Sequence, residues 1–166
     1  MKARVFASGL SLMIPLLWTA TAMAAESAGR LTVPQSNYLL GCGGCHGVDG
    51  ISNSKPVPDL RDQVGYFLNS QAGREYLVRV PNVAFYAVSD QSLTDMLNFM
   101  IFQLGRASTP AGAKPYTKGE VARLRKQPLT EISLVDFRAQ LIGTLSAQYE
   151  APRGIRVYGS EYAQNE

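Results

Sequence analysis

Both cysteines of this chain and its single histidine fall within five consecutive residues, Cys42-Gly43-Gly44-Cys45-His46. The clustering concentrates all thiol and imidazole chemistry at one point, and that limits the fold more than any other feature. A multi-bridge disulfide scaffold is excluded, and so is a metal centre built from several histidines. A structural zinc site needs two further Cys or His ligands that the chain lacks. A thioredoxin-like dithiol needs a βαβ setting, yet no convincing strand alternation is visible anywhere in the chain. A disulfide from Cys42 to Cys45 closes too short a loop to constrain much.

The pattern does fit the Cys-x-x-Cys-His signature of c-type haem attachment: two thiols spaced to reach two vinyl groups, followed by an imidazole placed to bind iron. The two intervening glycines let the backbone approach a porphyrin edge. The expectation is one covalent haem c, bound through Cys42 and Cys45, with His46 as axial ligand to the iron.

Export is compatible with that chemistry. Lys2 and Arg4 precede an apolar run from Val5 to Trp18, and Ala22-Met23-Ala24 provides a small-x-small cleavage site, so residues 1–24 read as a secretory signal peptide. The expected location is the periplasm or another exported compartment of a bacterium. No later segment is long and apolar enough to span a membrane. Removing the leader takes away Lys2 and Arg4 and leaves 14 basic against 13 acidic residues, a net charge of +1. Such a balance offers no electrostatic reason to expect a nucleic-acid partner. Met96 and Met100 are the only methionines that remain.

The chain predicts an all-α fold. Pro34 opens a short helix that runs to Leu40 and into the motif. Gly, Ser, Asn and Pro dominate 47–62, which is loop chemistry. Helical stretches are expected over about 62–69 and 72–80, the second ended by Pro81. The strongest helix begins near Ser89 to Ser92, with Ser92 and Asp95 spaced as a capping box, and reaches Leu104. Its stripe of Leu93, Met96, Leu97, Met100, Ile101 and Leu104 implies a buried face. Thr117 and Glu120 form a second capping box, and a last helix covers about 131–145. The division expected is a domain over 25–105, a helical extension over 106–148 and a disordered tail over 149–166.

Taken together, these residues resemble a class I cytochrome c over about 34–105. In that family a Pro-x-Leu segment about a dozen residues past the haem histidine offers its proline carbonyl to the histidine Nδ1, and Pro58-Asp59-Leu60 stands there. Gly73 to Val78 followed by Pro81 resembles the family's middle helix, and the stripe from Leu93 to Leu104 resembles its C-terminal helix, which packs across the first. Arg74, and with it Arg79, falls near where haem propionates often emerge. A haem would also add core to a domain of only about 72 residues, a size at which side chains alone are marginal.

One departure matters. The family usually presents a methionine as second axial ligand from the loop before the last helix, but Pro81 to Val88 contains none. No Met, His, Lys or Cys lies between Arg61 and Asp95. The sixth ligand is therefore open: Met100 or Met96 from the helix, a tyrosine such as Tyr86, a lysine such as Lys55 or Lys114, or no protein ligand beneath an apolar lid of Val83, Phe85 and Tyr86.

The function expected is single-electron transfer between redox partner proteins, such as a periplasmic dehydrogenase or a terminal acceptor. The alternatives are a five-coordinate haem protein with small-ligand binding or peroxidase-like activity, and a non-catalytic binding module. The absence of a distal histidine weighs against an enzyme. Lys114, Lys118, Arg123, Arg125 and Lys126 form a basic run that could steer an acidic partner, and a solvated helix face explains it as well.

Overall fold

Thr32 starts the first helix with a two-way cap: its hydroxyl accepts the Gln35 N–H at 3.4 Å, and the Gln35 side chain accepts the Thr32 N–H at 2.7 Å. This is α1, Val33–Tyr38. The helical run then widens by one residue per turn over Leu39–Gly43 and tightens again in a single turn, α2, Gly44–His46. The motif is thus the C-terminal end of one helical run. The computed structural model describes residues 30–53, 57–150 and 155–156. The expected signal peptide, residues 1–24, lies outside the described residues, as do Lys55 and most of the expected tail.

Gly47 ends the run, and only glycine suits it: φ is +78°, and a Cβ would sit 1.9 Å from the Ile51 carbonyl oxygen. A 3-10 turn, Val64–Asn69, leads into α3, Gln71–Arg79, whose first turn is capped by Ser70. Then follow α4, Pro81–Ala84, and α5, Asp90–Phe99. Ser89 rather than Ser92 caps α5, accepting the Ser92 N–H at 3.1 Å. A second widened turn, Met100–Leu104, extends α5. The chain closes with α6, Lys118–Leu124, and α7, Leu134–Gln148. Among the described residues there is no strand, so the fold is all-α. No helix among them is long and apolar enough to cross a membrane.

The first core forms where α1 packs on α5. Tyr38 is fully buried and meets Phe99 with ring centroids 5.7 Å apart. Leu93, Met96, Leu97, Met100, Ile101 and Leu104 are all buried, as the stripe requires, and Val121 and Leu124 of α6 join them. Each such side chain contributes about 1.5–3 kcal/mol of burial. A second core gathers Phe67, Leu141, Ile142, Leu145 and Ile155, with Tyr76 stacked on Phe67 and on Phe137.

Residues from Thr32 onward form one compact unit, and residue 105 is not a boundary within it. Leu129 N–H donates to the Arg79 carbonyl at 2.8 Å, and the Asn98 side chain pairs with both backbone groups of Tyr116. Part of the segment expected to be disordered is also packed. Ile155 is buried, and the backbone N–H of Arg156 donates to Gln63 Oε1 at 2.8 Å. The physical reason is the second core, which needs Ile155 to cover Phe67 and α7.

Candidate cofactor site

The widened turn places Cys42 half-buried against the first core, while α2 leaves Cys45 exposed and His46 half-buried. No disulfide joins the two cysteines. Burial, with a smaller contribution from Cys45, pushes the Cys42 thiol up to about 11. Tyr38 anchors the far side of the motif by donating its hydroxyl to the Gly47 carbonyl at 2.7 Å. Burial is also the main reason its phenol is pushed up to about 12, with Cys42 next.

His46 Nδ1 lies 2.8 Å from the Pro58 carbonyl oxygen. A carbonyl can only accept, so Nδ1 carries a proton, and in the neutral ring Nε2 then keeps the lone pair. Burial lowers the pKa of the ring, the Pro58 bond raises it and Arg138 lowers it further, a net shift that favours the neutral form. Asp59 beside it is held in turn, accepting from Ser52 N–H at 2.8 Å and from the Arg156 guanidinium at 2.9 Å.

A cleft of about 330 Å³ opens at this point. Cys45 and His46 line one part, Val57 to Leu60 another, and Val64 and Phe67 a third. Tyr76, Leu77 and Val80 come from α3 and the residue after it, Asn82 and Val83 from α4, and Met100 from the end of α5. Leu134, Val135 and Arg138 of α7 complete the lining. The size falls in the range of small-molecule sites, roughly 300–1,000 Å³, and the lining is mainly apolar with a few polar groups. No group of three or more His, Cys, Asp or Glu that could hold a bare metal ion occurs among the described residues. The donor set fits a haem c instead: two thiols, one neutral imidazole oriented by its second nitrogen, and an apolar cleft beside them.

The structure therefore brings Cys45, His46, Pro58, Leu60 and Met100 to one cleft, with Cys42 on the adjoining turn. Met96 is 1% exposed and lies in the core, outside the lining. Arg74 is elsewhere. Its guanidinium grips Glu120 with bonds of 2.6 and 2.8 Å, donates to the Lys114 and Pro115 carbonyls, and stacks 4.1 Å from the centre of the Tyr116 ring. It does not line the cleft, because Glu120 satisfies its fork from α6. Arg79 is likewise engaged, donating to the Gln127 carbonyl at 2.7 Å. Tyr86 also points away from the lining: its ring lies where a Cβ on Gly41 would be, 2.6 Å off. Of the expected lid residues only Val83 meets the cleft, and Phe85 is 69% exposed.

The sequence reading assigns no part of the site to α7, whose Leu134, Val135 and Arg138 line the cleft, and it also leaves out Val57, Val64, Phe67, Val80 and Asn82. Leu134, Phe137, Arg138, Leu141, Ile142 and Leu145 follow the spacing i, i+3, i+4, i+7, i+8 and i+11 of a buried face. An arginine inside such a stripe is the signal. Arg138 is 7% exposed, its guanidinium lies 5.5 Å from the centre of the Phe67 ring, and it donates to the Arg156 carbonyl at 3.1 Å.

No protein-family model matches the chain, and no solved structure does. Curated relatives are more informative. The chain is similar to a cytochrome c-552 of Thermus thermophilus, 28% identical over 142 residues that cover 73% of this chain and 96% of that protein. It is also similar to a second cytochrome c-552 of Thermus thermophilus, 28% identical over 118 residues, covering 60% of this chain and 90% of the relative. With an all-α fold, this distant similarity supports a class I cytochrome c-like assignment in general terms.

Proposed function

We propose that the protein is an exported monohaem c-type cytochrome that passes single electrons between redox partner proteins, such as a periplasmic dehydrogenase and a terminal acceptor. The observation that carries this reading is the His46 Nδ1 to Pro58 bond, made at the end of the helical run that presents Cys42 and Cys45 and at the wall of an apolar cleft. Haem c, when bound, supplies one-electron exchange at its iron. Cys42 and Cys45 would hold it as thioethers, and His46 Nε2 would ligate the iron.

The chain's own contributions are positional. Pro58 fixes the plane of the imidazole and raises its donor strength. Leu60, Val64, Phe67 and Val83 give the cleft apolar walls. Protein purified from an exporting host should show a c-type absorption spectrum, and its pigment should stay with the polypeptide in acidified organic solvent. Colourless protein, or pigment that extracts, would overturn the assignment. Rapid electron exchange with small redox proteins, together with negligible peroxide turnover, supports the carrier role over an enzyme.

A second reading, small-ligand binding at an open iron position, draws on a specific observation. The segment Pro81 to Val88 gives the cleft only Asn82 and Val83. Met100 is the one methionine in the lining, and it also packs in the first core. Carbon monoxide binding by the ferrous protein, compared between wild type and Met100→Leu, separates the two. Rapid binding by both, with unchanged spectra, favours the open position. A wild type that refuses the gas beside a variant that takes it places Met100 on the iron.

A further inference from the structure

The stretch 125–129, just past α6, grips the segment 79–90 at both ends. Arg79 stands at the first end: its carbonyl accepts the Leu129 N–H at 2.8 Å, and its guanidinium donates to the Gln127 carbonyl at 2.7 Å. Arg125 meets the other end, where one guanidinium reaches the carbonyls of Ala84, Tyr86 and Val88 and the carboxylate of Asp90. A planar fork with five N–H donors can gather acceptors from alternate backbone positions, which the compact ammonium of a lysine cannot do. The Arg125 side chain is 16% exposed, so water competes little for these bonds.

Between the two ends, the segment gives the cleft Asn82 and Val83. Asn82 is exposed although it lines the cleft, so it stands where the cleft meets solvent, with the half-buried Val83 beside it. Both sit on α4, which is four residues long and too short to hold its own shape. Further along, the Tyr86 ring fills the space that a Gly41 Cβ would need, one residue before Cys42. The position of this wall is therefore set from outside the segment, and 125–129 supplies the bonds that set it.

We infer that Arg125 is a positioning residue of the cofactor site: together with residues 126–129 it fixes the wall made by Asn82 and Val83 and so restricts the entry of small neutral ligands into the cleft. The inference rests on the haem reading above, since such a ligand needs an iron to bind. It gives part of the C-terminal extension a task at the site, although Arg125 itself never touches the cleft.

The test uses full-length pigmented protein carrying Met100→Leu, so that this methionine does not compete for the iron. The probe is carbon monoxide, and the readout is its association rate with the reduced protein after flash photolysis. Where entry requires the wall to open, the rate follows the open fraction, and adding Arg125→Met should raise it roughly tenfold or more. Arg125→Lys keeps a charge beside Asp90 without spanning the three carbonyls, and should restore less than half of the change on a logarithmic scale. A parent that refuses the gas beside an Arg125→Met variant that takes it also supports the inference. Equal rates in the two, refusal by both, or full restoration by lysine would overturn it, because an arginine that serves stability alone would leave ligand entry unmoved.

Should Arg125→Met fail to accumulate, Arg79→Met decides. It loses the bond to Gln127 but keeps the backbone bond to Leu129, and its rate should rise roughly threefold or more. An unchanged rate there overturns the inference in the same way. Wild-type protein without covalent pigment would remove the haem reading itself, whereas pigmented variants with the parent's rate remove this inference alone.

Discussion

Replacing Arg125 by methionine should release the segment 84–90 from the helix that holds it. The Arg125 guanidinium donates to the carbonyls of Ala84 at 3.0 Å, Val88 at 2.9 Å and Tyr86, and it pairs with the Asp90 carboxylate at 3.0 Å. A hydrogen bond from a charged donor contributes about 1.5–3 kcal/mol net, and the lower end applies where water can replace the donor. The Asp90 side chain is 36% exposed, so its pairing adds about 1 kcal/mol at most. Bonds that share one donor group are not additive, and the expected loss is about 2–4 kcal/mol in all. At tenfold per 1.4 kcal/mol, amide exchange at Phe85, Tyr86 and Val88 should quicken by roughly 30-fold to several hundred-fold. These amides donate to Pro81, Val83 and Tyr86 carbonyls respectively, so they report opening of this segment. Arg125→Lys keeps the charge beside Asp90 but cannot span three carbonyls, and should recover less than half of the protection. Unchanged exchange in the methionine variant, or full recovery with lysine, would refute the reasoning.

Cys42→Ala or Cys45→Ala should leave the pigment singly attached and lower the unfolding midpoint, which absorption and thermal melts of the same sample will show; the double variant should lose covalent pigment altogether. Tyr38→Phe removes the bond to Gly47 and should cost about 1 kcal/mol at neutral pH. Because the Tyr38 phenol is raised to about 12 in the folded chain, its contribution is intact below pH 10 and is lost as pH rises from 10 through 12; denaturant midpoints should fall over that window in wild type more steeply than in Tyr38→Phe. Glu120→Gln should lower stability at pH 7 by about 1–3 kcal/mol, since it weakens the two-bond grip on Arg74. The Arg74 guanidinium holds the Glu120 carboxyl below its ordinary 4.5, so this contribution is present above pH 4.5 and fades as pH falls through the lowered value; acid titration of wild type against the variant should show the difference.

Local chemistry explains which parts of this molecule can be read from its sequence. Thr117 caps α6 as the pattern implies, accepting the Glu120 N–H at 3.2 Å, because a hydroxyl and the third amide of a helix meet without help from the rest of the chain. The stripe from Leu93 to Leu104 is legible for the same reason. The carboxylate of Glu120 is not: it leaves its own helix end and reaches Arg74, 46 positions away, a choice made only by how α3 and α6 pack. Arg125 shows the same limit. Within the basic run it reads as a solvated charge, yet its side chain is 16% exposed and serves carbonyls of a segment distant in sequence. Of the candidate site, the motif is legible because spacing places it, and Pro58 because the resemblance to a class I cytochrome c implies it. The α7 wall is not, since a helical stripe shows that a face is covered without showing what covers it.

The second core bears on the order in which the molecule can be assembled. The helical run ending at His46 and the turn carrying Pro58 belong to the first part of the chain, whereas Leu134, Val135 and Arg138 come far downstream, and Ile155 comes later still. A polypeptide emerging with its N-terminus leading completes the thiol pair and the imidazole while one side of the pocket is still missing. On the haem reading proposed above, the group would be taken up while that side is open, and packing of α7 on Phe67 would complete the wall afterwards.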